Sequence, residues 1–374
     1  MKHFAQLKIK LALLIVLTIA VSVCCKKKDT TDPSVDGSST FDKQALLLNY
    51  ADNLILPAYT DFKTALDSLS LAYNTFKTSG SLTDFQLAKQ KFNTAYLKYH
   101  RISIFGFGPG EDANIRVNFN IFPVDTAKVK ANINSGAYNL ALASNIDTKG
   151  LPALDYIFYG LNKTETEQKQ LFDANNNRKQ YVTDLLAEMS IKLNAVLSSW
   201  ATYRNTFVNS LGTDVGSSLG FIVNQLNYEL DYLKNSKIAT PLGLRSDGNP
   251  LPAHSEAYYG EQSMLYATET LNAIENVYLG RSAGGSNGKG FDDYLDHLQA
   301  MHADVSLNTA IKTQFLAARQ KMNAIGNPLS DQVITNPGTV NTAYKELVKL
   351  LVLLKTDMPS SLGVVITYQD GDGD

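Results

Sequence analysis

The sequence predicts an all-α protein made of two helix bundles with long ordered loops. Apolar residues recur at alternating steps of three and four along almost every long segment, which places them on one face of a helix. Glycine and proline concentrate between these segments, where they favour turns and loops. Strand-like alternation is limited to residues 364–368. A chain of 374 residues is long enough for two such cores.

The first half begins with two helical stripes joined by a turn at residues 79–81. So short a connection favours antiparallel neighbours. Pro57 lies inside the first stripe and should kink or restart that helix, because proline cannot donate a hydrogen bond to the ladder. Ser81 or Thr83 can cap the second helix. The first stripe consists of Ile55, Tyr59, Phe62, Leu66, Leu69, Tyr73 and Phe76, and the second of Phe85, Ala88, Phe92, Ala95, Tyr99 and Ile102.

The later elements complete two predicted bundles. A glycine- and proline-rich loop covers residues 105–125, and long ordered loops of this kind are often functional. The charged, asparagine-rich segment 163–177 is expected to connect the bundles. Five further stripes follow. The predicted divisions are 41–162 for the first helical bundle, 178–360 for the second and 361–374 for an acidic tail.

Residues 1–25 are typical of an export signal, and residues 26–40 of a polar, flexible tether. The apolar run at 11–23 is too short to span a bilayer. Its end resembles the lipobox of bacterial lipoproteins, in which a cysteine becomes the lipidated N-terminus. Cys25 is the better acceptor, because Val23 before Cys24 departs from the usual small residue. An ordinary signal peptide or an uncleaved anchor is the alternative.

Composition limits the classes of function. A formal net charge of −2 provides no field that would attract nucleic acid. The chain has 2 cysteines, both at the end of the signal, so cleavage would leave no disulfide or thiol chemistry in the folded part. The expected partners are a membrane, through a lipid anchor, and a metal ion or small ligand.

The segment 150–160 carries the most informative motif. It begins at Gly150, closes on Gly160 and resembles the Gly-x-His-x-x-Glu motif of the imelysin family, also called peptidase M75. Pro152 stands at the histidine position of that motif and Asp155 at the glutamate position. Further segments resemble imelysin landmarks in the family's order: 57–59, 105–109, 237–243, 255–259 and 276–280.

This resemblance covers about residues 45 to 360, and it implies an imelysin-like fold and an envelope protein associated with iron uptake. In the family, the motif histidine and glutamate can hold a metal or share a proton. Pro152 can do neither, although it suits the first turn of a helix. The segment is therefore either a structural corner or a site that has kept Asp155 and recruited other ligands. The additional ligand residues would be His100, His254 and Glu256. With Asp155 they would bind a divalent metal, iron or a small ligand.

Three functions remain open at this point. The leading one is an exported lipoprotein of the cell envelope, on the periplasmic side or the cell surface, that binds its ligand in a cleft between the bundles. The second is an M75-type metallopeptidase, although no His-Glu-x-x-His motif is present. The third is a structural or interaction lipoprotein that has lost its site.

Overall fold

The computed structural model describes residues 40–160 and 163–368. Helices make up nearly all of the regular structure in these ranges, so the all-α prediction is confirmed. No helix in these ranges is both long enough and apolar enough to cross a bilayer. The predicted signal, the cysteines Cys24 and Cys25, nearly all of the tether and the end of the acidic tail lie outside the described residues.

We number the α-helices in chain order: α1 Lys43–Asn49, α2 Leu56–Ser79, α3 Leu82–Tyr99, α4 Pro109–Asp112, α5 Ile115–Phe119, α6 Thr126–Ser135, α7 Gly150–Tyr159, α8 Glu165–Asp173, α9 Asn176–Asn209, α10 Ser218–Tyr232, α11 Thr240–Leu242, α12 Ser263–Tyr278, α13 Phe291–His297, α14 Leu307–Asn323, α15 Leu329–Thr335, α16 Pro337–Val352 and α17 Met358–Leu362. π-Helical turns lie at Tyr50–Ile55, Leu233–Ala239 and Leu353–Asp357, and 3-10 helices at Ser103–Phe105, Ala143–Thr148 and Pro252–His254. The strands β1 Met301–His302 and β2 Val305–Ser306 pair antiparallel.

The first two predicted stripes form α2 and α3, which pack against each other. Gly80 ends α2 in the left-handed region with a φ of 63°, which glycine adopts without strain. Ser81 caps α3 through its hydroxyl, which accepts the N–H of Asp84 at 3.1 Å. The interruption expected at Pro57 takes the form of the π-helical turn that precedes α2.

Helix α9 is 34 residues long and packs against α2, α7 and α8. The helices α10, α12, α14 and α16 pack in sequence, each against the next, and α10 also contacts α16. Although α9 begins the predicted second bundle, it lies against helices of the first half. The division into bundles at 41–162 and 178–360 stays a prediction.

Three segments differ from their predicted form. The expected long loop 105–125 contains the short helices α4 and α5. The expected connection 163–177 contains α8, which begins with a capping box between Thr164 and Glu167. Residues 364–368 form no strand. The side chain of Asn224 takes their backbone hydrogen bonds instead: its amide donates to the Val365 carbonyl at 2.9 Å and its oxygen accepts the Thr367 N–H at 2.7 Å.

The motif glycine Gly150 lies where α7 meets the end of α5. Its φ of 72° is left-handed, and a Cβ there would lie 2.4 Å from the Phe119 carbonyl oxygen. Glycine therefore allows both the backbone angle and the close approach. Pro152 lies in the first turn of α7, as the sequence predicts.

Candidate functional site

Three of the four predicted ligand residues are buried in one region of the structure. His100 is the residue that ends α3, Asp155 lies on α7, and Glu256 follows the 3-10 helix Pro252–His254. Each has 2% or less of its surface exposed. Buried charged or titratable groups of this kind need specific partners.

Lys237, from the π-helical turn Leu233–Ala239, lies among these partners. Its ammonium nitrogen is 2.8 Å from Glu256 Oε2 and 3.0 Å from His100 Nδ1. A third bond, of 2.9 Å, runs to Thr270 Oγ1 on α12. The contacts with His100 and Thr270 are hydrogen bonds and the contact with Glu256 is an ion pair, so the ammonium has three polar partners. We call Lys237, Glu256, His100 and Thr270 the lysine centre.

The lysine centre fixes the protonation of His100. Because the Lys237 ammonium donates to Nδ1, that nitrogen accepts and the ring proton lies on Nε2. Nε2 is 3.6 Å from Glu256 Oε1. Burial lowers the pKa of His100 well below its ordinary value, and the charges of Lys237 and Arg116 lower it further. The imidazole is therefore neutral, and the ion pair of the centre is Lys237 with Glu256.

Neutral side chains surround this ion pair. The Asn120 amide donates to Glu256 Oε1 at 2.6 Å, and the Tyr96 hydroxyl donates to Asn120 Oδ1, also at 2.6 Å. The rings of Tyr96 and Tyr266 lie 5.5 and 5.1 Å from the His100 ring. The centre is thus enclosed by aromatic rings and linked by hydrogen bonds, which strengthens its electrostatic interactions.

Asp155 lies outside the lysine centre and binds backbone N–H groups. Its Oδ2 accepts the N–H of Tyr259 and its Oδ1 accepts the N–H of Gly260, both at 3.0 Å. Burial raises the pKa of Asp155 to about 7. The two backbone hydrogen bonds oppose this shift, and the negative charge of Glu256 adds a smaller increase. The carboxylate joins α7 to the loop before α12, and a Cβ on Gly260 would lie 2.6 Å from Oδ1.

A cleft lies beside Asp155, and we call it the Asp155 cleft. Apolar residues and tyrosines form much of its lining, and Ser255 brings a buried hydroxyl with no hydrogen-bond partner in residues 40–160 and 163–368. Such a hydroxyl is costly to leave unpaired unless a ligand or water meets it. The lining is Phe122, Pro123, Val124, Pro152, Asp155, Ala253, Ser255, Ala257, Tyr258 and Tyr259.

The four predicted ligand residues do not all lie together. His254 is only half-buried, and no hydrogen bond or ion pair in the described ranges joins its side chain to His100, Asp155 or Glu256. Among the residues the structure describes, no three His, Cys, Asp or Glu side chains converge on one point. The Lys237 ammonium already provides a positive charge between His100 and Glu256.

Sequence analysis missed Lys237, although the segment 237–243 was singled out as a landmark. A signal was available, since Lys237 lies between the apolar residues Leu233 and Ile238 in a segment that continues a helical stripe. Its partners could not be inferred, because Thr270 and Glu256 belong to other elements.

Comparisons with known proteins agree with the fold. A family model described as Imelysin, peptidase M75, matches residues 55–354. Iron-regulated protein A of Synechococcus elongatus is 19% identical over 313 residues, which is 79% of this chain and 81% of that protein. A crystal structure from Parabacteroides distasonis, described as an iron-regulated protein A precursor, matches with a TM-score of 0.69 at 16% identity, covering 85% of this chain and 94% of that one. An imelysin-like protein from Psychrobacter arcticum matches with a TM-score of 0.68 at 17% identity, covering 87% and 97%.

Removing Lys237 should destabilise the fold far more than removing an exposed lysine. Lys237→Met leaves Glu256 charged and buried, and we expect it to lower the free energy of unfolding by about 3–5 kcal/mol in urea titrations. The double variant Lys237→Met, Glu256→Gln should recover much of that loss. The control is Lys98→Met, which breaks an exposed pair with Asp61 and should cost about 1 kcal/mol or less. Additive losses in the double variant would contradict the coupling.

The stability of the protein should depend on the protonation of Asp155. Its pKa of about 7 in the folded state exceeds the 3.8 of an exposed aspartate, so the folded protein keeps a proton that the unfolded chain releases. This stabilisation is complete below pH 4 and is lost as the pH rises through 7. Its full size is a few kcal/mol, at about 1.4 kcal/mol per pKa unit.

The Asp155→Asn variant tests this dependence. We expect a lower free energy of unfolding overall, because an amide N–H then faces a backbone N–H, together with a flatter slope between pH 4.5 and 7.5. Asp67→Asn, at an exposed position on α2, should keep the slope of the unmodified protein. An unchanged slope in Asp155→Asn would show that other groups cause the dependence.

Proposed function

The chain belongs to the imelysin family, peptidase M75, and from this we propose a cell-envelope protein of iron uptake that binds a small organic ligand in the Asp155 cleft. The observation that carries the proposal is the position of Lys237. Its ammonium already neutralises Glu256 and occupies His100 Nδ1. The recognition groups left for a ligand are therefore Asp155 and the unpaired Ser255 hydroxyl.

The chemistry of the Asp155 cleft favours a small polar head group on an apolar body. Ionised Asp155 is an acceptor, and Ser255 offers both a donor and an acceptor. Phe122, Pro123 and Pro152 provide apolar walls. A ligand site commonly combines such walls with a few convergent polar groups. The link to iron comes from the names of the relatives, which are iron-regulated proteins. Organic iron chelators carry hydroxyl or hydroxamate head groups, which match the polar groups of the cleft. The volume of the cleft, about 250 Å³ with its open mouth, limits the site to the head group.

Thermal unfolding with small probes tests the binding site. The probes are catechol, acetohydroxamate and citrate, each alone and as its ferric complex, added to the chelator-stripped protein. A ligand at 100 times its Kd stabilises a folded protein by about 2.7 kcal/mol, so a bound probe should raise Tm by several degrees. Asp155→Asn and Ser255→Ala should remove that shift, whereas Asp67→Asn and Ser68→Ala on the exposed side of α2 should keep it.

Three results would overturn the proposal. Calorimetric titration with iron, zinc, copper and calcium could reveal tight binding of a bare ion that His100→Ala abolishes, which would establish a metal site at the lysine centre. Chelator-sensitive cleavage of an unfolded protein such as casein would instead support the M75 peptidase alternative. No Tm shift with any of the six probes also counts against a head-group site at Asp155.

We further propose that the protein is anchored by a lipid on Cys25. Its position after the apolar run 11–23 and the polar residues that follow it support this proposal. Cys25→Ser should move the protein from the membrane fraction to the soluble fraction of cells, and mass spectrometry should no longer find an acylated N-terminus. Cys24→Ser is the matched control and should remain in the membrane fraction. Retention of Cys25→Ser together with release of Cys24→Ser would assign the anchor to Cys24.

A further inference from the structure

The glycine-rich loop 105–125 borders a groove separate from the Asp155 cleft. Two adjoining hollows of about 580 and 740 Å³, measured to their open mouths, share the lining residues Glu111, Gln225 and Tyr228. One wall comes from the loop and α4, and the other from α10. We call the two hollows together the loop groove. Neither Asp155 nor any member of the lysine centre lines it.

Three polar groups that line the loop groove have no hydrogen-bond partner within residues 40–160 and 163–368. These are the Glu111 carboxylate, the Gln225 side-chain amide and the Tyr228 hydroxyl. Glu111 is exposed, whereas Gln225 and Tyr228 are half-buried. Together they offer one charged acceptor, one amide and one hydroxyl. A ligand that brings both donors and acceptors could engage all three.

Aromatic rings line the same groove. Phe107 and Phe221 stack with centroids 6.0 Å apart and planes 4° apart. Tyr228 and Tyr368 meet edge to face at 6.0 Å. All four side chains line the second hollow, where Phe107 is buried and the other three rings are half-buried. Aromatic faces in an open groove provide flat apolar contact area without the entropy cost of a long flexible side chain.

Close packing and side-chain interactions hold the walls of the loop groove in place. Gly110 cannot be replaced without moving the loop, because a Cβ there would lie 2.3 Å from the Phe105 carbonyl oxygen. Asn224 holds Thr367 through a 2.7 Å bond from the Thr367 N–H. The Arg116 guanidinium forms an ion pair with buried Glu229 and lies 4.9 Å from the Tyr228 ring centre. A preformed groove lowers the cost of ordering the protein on binding.

Charge and polarity narrow the class of ligand. An organic cation would be drawn to Glu111 and the rings, but Arg116 already lies against Tyr228 and would repel it. An anion would be repelled by Glu111. A purely apolar ligand would cover the Gln225 amide and the Tyr228 hydroxyl without pairing them, which is costly. A neutral molecule with many hydroxyl groups and some apolar faces meets all of these conditions.

We infer that the loop groove binds a neutral saccharide chain. Sugar rings present C–H faces to the rings of Phe221 and Tyr228, while their hydroxyl groups bond the Glu111 carboxylate and the Gln225 amide. This inference does not rest on the proposed ligand at Asp155, because the two sites share no lining residue.

Trp200 provides a built-in reporter for the experiment. It is the sole tryptophan of the chain, and its ring lies 6.1 Å from that of Phe107 in the groove wall. The full chain is titrated with hexasaccharides of α-1,4-glucose, β-1,4-glucose, β-1,4-mannose and N-acetylglucosamine, and with spermidine as the cationic probe. Tryptophan emission and calorimetric heat are recorded for each. At least one hexasaccharide should bind saturably, and spermidine should not.

Variants assign binding to the groove. Gln225→Ala and Tyr228→Phe each remove one hydrogen-bonding group and should weaken the bound hexasaccharide about five- to tenfold. Gln90→Ala on α3 and Tyr344→Phe on α16 are the matched controls and should leave Kd unchanged. Asp155→Asn should also leave it unchanged, which separates this test from that of the Asp155 cleft. The inference is overturned if no hexasaccharide gives heat, if the groove variants bind as the controls do, or if spermidine binds in a Glu111-dependent way.

Discussion

The interior of this protein depends on one buried ion pair, between Lys237 and Glu256. The lysine also bonds His100 at the end of α3 and Thr270 on α12, so four separate segments meet at one ammonium group. A buried charge is tolerated only when it is fully paired, because the low dielectric that strengthens the pair also penalises either partner alone. The segments must therefore all be in place before the pair becomes favourable, which makes their packing cooperative.

This arrangement explains how the chain keeps the frame of its family motif without the histidine. Pro152 begins α7, and Gly150 permits the close approach to Phe119. Asp155 then uses both carboxylate oxygens to hold the backbone at Tyr259 and Gly260. The acidic residue of the motif thus organises the loop that carries Glu256. Each oxygen of this carboxylate accepts one backbone N–H, so only its remaining lone pairs can meet a ligand.

The sequence predicted those structural features that depend on residues close together in the chain. The helices α2 and α3 could be predicted because the apolar residues of their buried faces recur every three or four positions in the sequence. The capping box of α8, from Thr164 to Glu167, was also readable, but the charged composition of the segment hid it. Other features depend on distant partners. The Asn224 side chain forms hydrogen bonds with the backbone of residues 364–368, where a neighbouring strand was expected. Lys237 and Glu256 come together only in the folded chain. Neither pairing leaves a periodic pattern in the sequence.

The two surfaces proposed for ligands share one electrostatic design. Behind the Asp155 cleft, Lys237 neutralises Glu256, and beneath the loop groove, Arg116 neutralises Glu229. Both buried glutamates are thereby neutralised within the protein before a ligand arrives. The remaining recognition groups are an amide, two hydroxyls and two carboxylates, of which Glu111 is exposed and Asp155 has a pKa of about 7. Ligands are then selected by hydrogen-bond geometry and apolar contact more than by net charge, and such selectivity is expected to depend little on salt.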